Sequence, residues 1–329
     1  MNKRSVLVIS SKEDVHCNPV IRHLKLIGRE VFRFNTEDIL TGNRVLLLQT
    51  NTEEKLRIIS NEVPREISLE EIGSIWFRRP LPPDLSQAYF EDQRDSDFSS
   101  LETEHFLRSL YPFLKSKYWL SPPWILNFEK SKIRQASIAR TVGFTIPESI
   151  FTNDPQEAVA FADRHGRVAL KTLGARGFNQ EEKFHAFYTT IVDSKDIKAY
   201  EEAIKSSMNF IQQAISKAYE LRVTVVGNEI FPVKIDSQAS AEIARDDWRR
   251  ADHRKIPHEA TQLPEIIVQS IHAFLNIYEL EFGCFDFIVT PSGDYVFLEC
   301  NGNGQWLWIE ELTGLPISWA IAKLLDSRC

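Results

Sequence analysis

Short apolar runs alternate with segments of helical spacing along the chain, which is the pattern of a mixed α/β protein. Ser5 to Ser10 encloses a continuous apolar run that predicts a buried strand, and Asn18 to Ile27 has the spacing of a helix. Glu30 to Phe34 predicts a second strand. A strand, a helix and a strand in this order indicate a parallel, doubly wound sheet at the start of the chain.

A second group of elements follows Pro122-Pro123, a pair that marks a boundary. These predicted elements are a helix at Lys130–Thr141, strands at Ile146–Phe151, Arg167–Lys171 and Phe210–Ile215, and a hairpin of Glu220–Val226 with Glu229–Ile235 across Gly227-Asn228. We therefore predict three domains, which are an N-terminal domain (1–122), a central domain (123–211) and a C-terminal domain (212–329).

The strongest local pattern is a second hairpin near the C-terminus, where apolar strands flank Pro291-Ser292-Gly293-Asp294. If Ser292 and Gly293 form a two-residue loop, Asp286 lies directly opposite Glu299, and Asn301 points to the same face. The opposite face then belongs to the core and carries Phe285, Phe287, Val289, Val296, Leu298 and Cys300.

Like charges directly opposite each other destabilise a sheet, so this carboxylate pair needs a compensating charge. A magnesium ion prefers oxygen ligands, and proteins commonly hold it with one or two carboxylates and substrate phosphates. The alternative is an ordinary hairpin whose carboxylates lie at a solvated end.

Three other segments carry groups that suit a nucleotide, although each also fits an exposed loop or an ordinary strand. Lys171 ends a strand before a glycine-containing loop and could reach phosphate oxygens. Met208 to Ile215 could present main-chain groups to an adenine, and Glu220 alternates with Arg222 on one strand face. The cationic loop from Arg245 to Lys255 could hold phosphates or carboxylates.

Composition and charge narrow the class of protein. With 329 residues and 43% hydrophobic residues the chain can form more than one core, and a net charge of -7 argues against a general nucleic-acid binder. No apolar run approaches the roughly 20 residues of a membrane span, and the N-terminus predicts a strand rather than a signal peptide. The four cysteines have no zinc spacing, so we expect reduced thiols in the cytoplasm.

The order of these parts resembles the ATP-grasp superfamily over essentially the whole chain. Four strings resemble one of its families, the microviridin-type ribosomal peptide maturases or graspetide synthetases; they are Ile75–Pro80, Glu220–Gly227, Asp247-Trp248-Arg249 and Glu299–Trp306. The resemblance implies an α/β (α+β) ATP-grasp fold with an N-terminal Rossmann-like pre-ATP-grasp domain, a central domain and a C-terminal domain.

The resemblance also implies a reaction. A glutamate or aspartate side chain of a ribosomal precursor peptide would attack the γ-phosphate of ATP, giving an acylphosphate and ADP. A Thr or Ser hydroxyl of the same peptide would then form an ester, or a Lys amine an amide, which closes a macrocycle. ATP and Mg²⁺ would be the cofactors, and a homodimer without nucleic-acid or membrane partners would be the assembly.

The site residues implied by the resemblance fall into four groups. Magnesium would be held by Asp286, Glu299 and Asn301, and phosphates by Lys171 and Lys132, with Lys130 as the alternative to Lys132. The nucleoside would contact Gln213, Ala214, Ile215 and Glu220. Arg222 and Arg249 would steady the γ-phosphate and the acylphosphate, and Asp247 would be the base. A leader peptide would dock on Phe178–Val192 and Ser194–Ser206, through Phe184, Phe187, Asp196 and Tyr200, although core packing explains these four residues equally well.

Lys234 departs from the family pattern and would either contact an acidic peptide or be simply exposed. Three rival functions remain. They are a ligase that adds amino acids to a protein or small-molecule carboxylate, like the glutamate ligases, a non-catalytic peptide-binding module on the same fold, and a small-molecule kinase. An intact carboxylate pair argues against the non-catalytic module.

Overall fold

A computed structural model of the chain describes residues 4–61, 65–86, 90–174, 177–180, 183–239 and 245–329. The described helices are α1 (Cys17–Leu26), α2 (Gln93–Phe113), α3 (Pro123–Glu129), α4 (Lys132–Thr141), α5 (Pro155–His165), α6 (Ser194–Ala199), α7 (Glu201–Lys205), α8 (Glu265–Ile277), α9 (Leu307–Thr313) and α10 (Ile317–Ser327). The described strands are β1 (Ser5–Ser10), β2 (Val31–Asn35), β3 (Asn43–Gln49), β4 (Glu54–Ser60), β5 (Arg65–Ser68), β6 (Ile72–Phe77), β7 (Tyr118–Leu120), β8 (Ser149–Thr152), β9 (Val168–Lys171), β10 (Gly177–Gln180), β11 (Lys183–Ala186), β12 (Thr190–Val192), β13 (Asn209–Gln213), β14 (Tyr219–Val226), β15 (Glu229–Ile235), β16 (His258–Ala260), β17 (Phe282–Val289) and β18 (Tyr295–Asn301).

The N-terminal region is built on a parallel sheet with strand order β2-β1-β6-β7. Every residue of β1 is buried, as its continuous apolar run predicted. An antiparallel sheet of β3, β4 and β5 covers one side, where Leu56 and Ile58 pack with Leu7 and Ile9. The parallel arrangement predicted from the first strand, helix and strand is present.

The central region is an antiparallel sheet with strand order β12-β9-β13-β8. Helices α5, α6 and α7 pack on one face of this sheet around Phe161, Ile197 and Ile204. The separate β10–β11 hairpin precedes strand β12. Because β9 lies beside β13, Lys171 at the end of β9 comes next to Phe210 and Gln212.

The C-terminal region is a five-stranded sheet with strand order β16-β15-β14-β17-β18, and its paired strands are antiparallel. Helices α4 and α8 cover one face through a cluster of phenylalanines that includes Phe144, Phe274 and Phe297. The other face shares its core with α1 and the parallel sheet, so the two regions are joined by buried apolar contact. The five-stranded sheet is therefore held between two packed layers.

Several element boundaries differ from the predictions, and strand β8, for example, begins at Ser149 rather than at Ile146. The predicted helix from Lys130 begins two residues later, because Ser131 is the N-cap of α4 and its side-chain oxygen accepts from the Arg134 N–H. The predicted strand from Phe210 to Ile215 ends at Gln213, so Ala214 and Ile215 lie beyond β13. Within the described ranges, no helix combines the length and the apolar character that crossing a membrane requires.

Truncation of Phe144 should destabilise the C-terminal region, because this 4% exposed ring stacks on Phe297 at 5.1 Å and contacts Phe287 at 5.3 Å. We expect Phe144→Ala to lower the free energy of unfolding by about 3–5 kcal/mol, measured by urea denaturation. Leu26→Ala, at a side chain that is 73% exposed, should change it by less than about 0.5 kcal/mol. A Phe144→Ala variant as stable as Leu26→Ala would contradict this assignment of the core.

Candidate active site

Asp286 and Glu299 face each other across β17 and β18, as predicted. The turn that joins the strands is nevertheless longer than expected, because Thr290 and Asp294 pair through a 3.0 Å hydrogen bond and leave three residues between them. Gly293 in this loop has a φ of +90°, the left-handed region that glycine adopts without strain. The predicted two-residue loop is therefore wrong.

A β-bulge restores the predicted pairing of the carboxylates. Between the turn and Asp286 the strand pairing is shifted by one residue relative to the predicted register. The predicted register returns at Asp286, because Leu298 is an extra residue on β18 that has no opposite residue on β17. This bulge also corrects the predicted core face. Phe297 joins Phe285, Phe287 and Cys300 in the core, whereas Leu298 is only partly buried.

Each facing carboxylate has its own cationic partner. The Arg222 guanidinium donates to both oxygens of Asp286 at 2.8 and 2.7 Å, and the Lys132 ammonium pairs with Glu299. Burial alone would lower the pKa of Arg222, but Asp286 raises it, and the net shift is upward, so the guanidinium stays charged. The repulsion expected of two facing carboxylates is thereby offset from both sides.

Carboxylate and amide oxygens are the ligands that a magnesium ion prefers, and here Arg222, Lys132 and Asn301 donate to the two carboxylates. The Asn301 side chain donates to Glu299 at 3.2 Å, which brings its amide to the carboxylate pair. In the described parts of the chain no three His, Cys, Asp or Glu side chains come close enough to hold a metal. The protein would therefore offer two carboxylates and an amide oxygen, and substrate phosphates would complete the shell.

A second group of cations lies near this pair. Lys171 donates to the Gln212 side chain at 2.7 Å, and burial, together with the charges of Lys132 and Arg249, lowers the pKa of Lys171 to about 8. Burial also lowers the pKa of Lys132. Lysines held close together at such a cost are typical of a site that binds an anion.

A narrow cleft opens beside these lysines, between the central sheet and β18. Its lining combines Lys132 and Gln212 with apolar side chains, which are those of Ala136, Ile146, Pro147, Phe151, Phe210, Phe297 and Leu298, and with Ser149. The half-buried Gln213, Ala214 and Ile215 follow Gln212 directly along the chain.

Glu220 is buried on the sheet face that also carries Arg222. One carboxylate oxygen accepts from Lys217 at 2.5 Å and the other from Ser237. Burial raises the pKa of Glu220. A ribose would have to share oxygens that already have protein partners.

Asp247 is better placed to hold Arg249 than to act as a base. It accepts three hydrogen bonds from Arg249, at 2.6 to 3.1 Å, and one from the main-chain N–H of Thr189 at 3.1 Å. Burial alone would raise the pKa of Asp247, but Arg249 outweighs it and the pKa is lowered. A carboxylate with this many donors accepts a further proton poorly, so the contacts favour a positioning role.

The predicted leader-docking residues lie on the hairpin and helices of the central region. Phe187 is 43% exposed beside Phe178, and Tyr200 is 69% exposed after α6. Asp196 caps α6 by accepting from the Asp193 N–H, and the side chain of Phe184 falls outside the described part of the structure.

Lys234 lies on the opposite sheet face from Arg222. Its ammonium lies 4.9 Å from the centre of the Tyr219 ring and 3.7 Å from Asp236. This position separates it from the carboxylate pair.

Known proteins share both this sequence pattern and this architecture. Residues 5–126 match the family described as the MvdD pre-ATP grasp domain. A RiPP-associated ATP-grasp ligase of Chryseobacterium gregarium, solved with ADP and a leader and core peptide, is 28% identical with a TM-score of 0.89. The similarity covers 99% of this chain and 97% of that one.

The chain has the ATP-grasp fold. The macrocyclase MdnC of Microcystis aeruginosa MRC, solved with its precursor peptide MdnA, is 26% identical with a TM-score of 0.84, over 98% of this chain and 99% of that chain. The macrocyclase MdnB of the same organism is 28% identical with a TM-score of 0.77, over 98% and 99%. No curated protein matches the sequence. The resemblance to graspetide maturases is confirmed.

In this ATP-grasp chain, polar residues surround the segment after Glu299; the sequence did not reveal Gln135 and Ser121, whereas Arg78 lies in one of the four strings. Gln135 pairs with the main chain of Cys300, Ser121 donates to the Gly302 carbonyl at 2.7 Å, and Arg78 donates to Asn303 at 2.6 Å. One pattern could have identified Gln135, because it lies three residues after Lys132 and therefore on the same helix face.

Glu129 is buried beside these residues, and burial raises its pKa to about 7. Since burial penalises the ionised form, the wild type should lose stability as the pH rises from about 4.5, the ordinary pKa, to 7. The loss should total about 3 kcal/mol.

Glu129→Gln should remove this component, so the variant should gain about 3 kcal/mol relative to wild type between pH 4.5 and pH 8. Urea denaturation across that range checks it. A difference between the two proteins that does not change with pH would contradict the assigned pKa.

Proposed function

We propose that the chain is an ADP-forming ATP-grasp ligase that activates Glu or Asp side chains of a ribosomal precursor peptide and closes macrocycles within it. The observation that carries this proposal is the facing Asp286–Glu299 pair with four cations, Arg222, Lys132, Lys171 and Arg249, around it. Similar chains of known structure were solved with ADP or a precursor peptide, which supports the same substrates here.

The first step makes a poor acyl donor reactive. A peptide carboxylate oxygen bonds to the γ-phosphorus while the bond to the bridging oxygen breaks, and ADP leaves. Lys171 and Lys132 would hold the phosphates, and Arg249, oriented by Asp247, would face the transferred group together with Arg222. Asp286, Glu299 and Asn301 would hold Mg²⁺, which neutralises phosphate charge when bound.

The second step closes the ring. A hydroxyl or amine of the same peptide bonds to the acyl carbon, inorganic phosphate leaves, and the proton of the attacking group passes to phosphate or water. Positioning two groups of one peptide beside each other is the main contribution that a protein can make to such a step. The attacking group of the peptide determines whether the product is an ester or an amide, and each product stays a prediction.

The nucleoside would lie in the cleft between the central sheet and β18. Its apolar walls suit a purine ring, and Gln213, Ala214 and Ile215 would offer main-chain groups at its rim. Glu220 would approach the ribose by sharing its oxygens with Lys217 and Ser237.

The peptide leader would dock on the β10–β11 hairpin and helices α6 and α7, where Phe187 and Tyr200 are exposed. Asp196 would contribute its charge from the cap of α6, and Phe184 stays part of this prediction. A homodimer and a cytoplasmic location also stay predictions. A ligase that adds free amino acids would use the same phosphate site, but it would need no such docking surface.

The proposal is tested with a peptide encoded by a short reading frame beside the gene, ending in clustered Thr, Ser or Lys with Glu or Asp. Incubated with the protein, ATP and Mg²⁺, the peptide should lose the mass of one water per ring. A peptide extended by free amino acids would support the rival ligase, and no ATP-dependent change with any neighbouring peptide would overturn the proposal.

Glu299→Gln should reduce ring formation by on the order of 100-fold or more, because it removes one charge from the metal-binding pair and leaves the fold intact. ADP release and peptide mass report the effect. Glu311→Gln, on the exposed surface of α9, should retain wild-type activity. Full activity of Glu299→Gln would remove the metal assignment.

Nucleotide affinity should depend on the charge of Lys171, since its pKa of about 8 makes the free ammonium titrate in an accessible range. In EDTA, the affinity for ADP should weaken by about tenfold between pH 8 and 9.5, because only the charged form of Lys171 attracts phosphate. Calorimetric titrations measure this. Lys171→Arg should remove the dependence, because a guanidinium stays charged; identical profiles for the two proteins would contradict the assignment.

A further inference from the structure

Strand β18 carries Glu299 and Asn301 at the edge of the C-terminal sheet, and among the described residues its other side has no paired strand beyond one isolated bridge of Val296 with Thr145. An unpaired strand edge leaves main-chain N–H and C=O groups that need other partners when they are buried. Cys300 lies between the two side chains and is fully buried. The hydrogen bonds of its main chain therefore determine where both neighbours point.

Gln135 supplies those hydrogen bonds from helix α4. Its side-chain oxygen accepts from the Cys300 N–H at 2.8 Å, and its side-chain nitrogen donates to the Cys300 carbonyl at 2.8 Å. A primary amide offers the same donor and acceptor as a peptide group, so Gln135 takes the place of one residue of a sixth strand. Only 2% of Gln135 is exposed, so water cannot replace it.

The same arrangement continues one residue beyond Asn301. Ser121 donates to the Gly302 carbonyl at 2.7 Å, and the Gly302 N–H bonds to Glu129. The Gln135 amide also donates to Glu129, at 2.6 Å to its carbonyl and 3.1 Å to its carboxylate. A β-carbon on Gly302 would lie 2.9 Å from Leu280 and 3.0 Å from Leu126, so both leucine side chains would have to shift to admit a larger residue.

Helix α4 thus contacts the metal-binding strand in two ways from one face. Lys132 neutralises Glu299, and Gln135, one turn later, fixes the main chain beside it. Both contacts connect residues more than 160 positions apart in the sequence.

We propose that Gln135 is a positioning residue for the metal site. Gln135 fixes the main chain at Cys300, and together with Ser121 and Glu129 it fixes Gly302. Glu299 and Asn301 are thereby held opposite Asp286. This inference rests on the proposed function, because it presumes that those three side chains hold Mg²⁺. Gln135 itself contacts neither the ion nor the substrate.

The test measures ADP affinity by calorimetry with MgCl₂ and again with EDTA. The ratio of the two affinities is the gain in ADP affinity that the metal provides. Gln135→Met, which keeps the size of the side chain and removes its amide, should reduce this gain by about tenfold. Its affinity in EDTA should stay within about twofold of wild type. Ser137→Ala is the matched control on the same helix, because the exposed Ser137 hydroxyl donates to the Ile133 carbonyl of its own turn and to no other described residue.

A second variant covers the case in which Gln135→Met does not fold, which a melting curve would reveal. Ser121→Gly removes one hydrogen bond to Gly302 without backbone strain, because Ser121 has a φ of +59° that glycine adopts freely. We expect it to reduce the gain from metal by about threefold. An unchanged gain in the folded variant, or an equal loss of affinity with and without metal, would overturn the positioning role.

The outcomes also separate this inference from the proposed function. A wild-type protein that gains ADP affinity from Mg²⁺ but cyclises no peptide would overturn the function and leave the role of Gln135 intact. A wild type that cyclises a peptide, with a Gln135→Met variant of normal metal gain, would overturn only the inference. A wild type with no gain from Mg²⁺ would overturn the metal site and the inference together.

Discussion

Electrostatic compensation of two facing carboxylates is the constraint on which the rest of the site depends. Asp286 and Glu299 lie opposite each other on neighbouring strands, an arrangement that is unfavourable unless positive charge is close. Arg222 comes from the next strand and Lys132 from a helix on the other side of β18. The sheet and the helix must therefore pack together before this pair becomes tolerable, which couples the site to the fold.

Contacts from the N-terminal region and from the C-terminal sheet meet at the segment that follows Glu299. The N-terminal region contributes Arg78, whose guanidinium bonds to the side chain and carbonyl of Asn303, and Ser121 bonds to Gly302. Arg222 bonds to the Gln305 carbonyl from the sheet itself. Because these bonds involve main-chain groups, they fix the path of the chain whatever side chains it carries. This rigidity suits a site whose oxygens must keep their spacing.

The sequence allowed good prediction of elements that local chemistry determines. The β14–β15 hairpin forms across Gly227, where a φ of +57° favours glycine, and the pairing of Asp286 with Glu299 is as predicted. The error in the second turn and the bulge at Leu298 cancel, so the pairing of Asp286 with Glu299 was predicted correctly from an incorrect loop. The bulge could not be predicted, because Phe297 pairs with the distant Thr145 carbonyl on its outer side.

Long-range partners account for the remaining differences. Lys132 and Arg222 were expected at phosphates, and in the structure they bond to the carboxylates that would share those phosphates. Asp247 was predicted to be a base, but Arg249 and Thr189 donate hydrogen bonds to its carboxylate oxygens. No pattern along a single sequence encodes which residues meet across more than 150 positions, as Lys132 and Glu299 do.

The bulge at Leu298 divides the C-terminal hairpin into two parts with different registers. Pairing near the turn is set by the length of the loop, and pairing near Asp286 is set by the helix and strands around it. One unpaired residue absorbs the mismatch between them. The turn can consequently accept insertions or deletions while Asp286 and Glu299 keep their alignment.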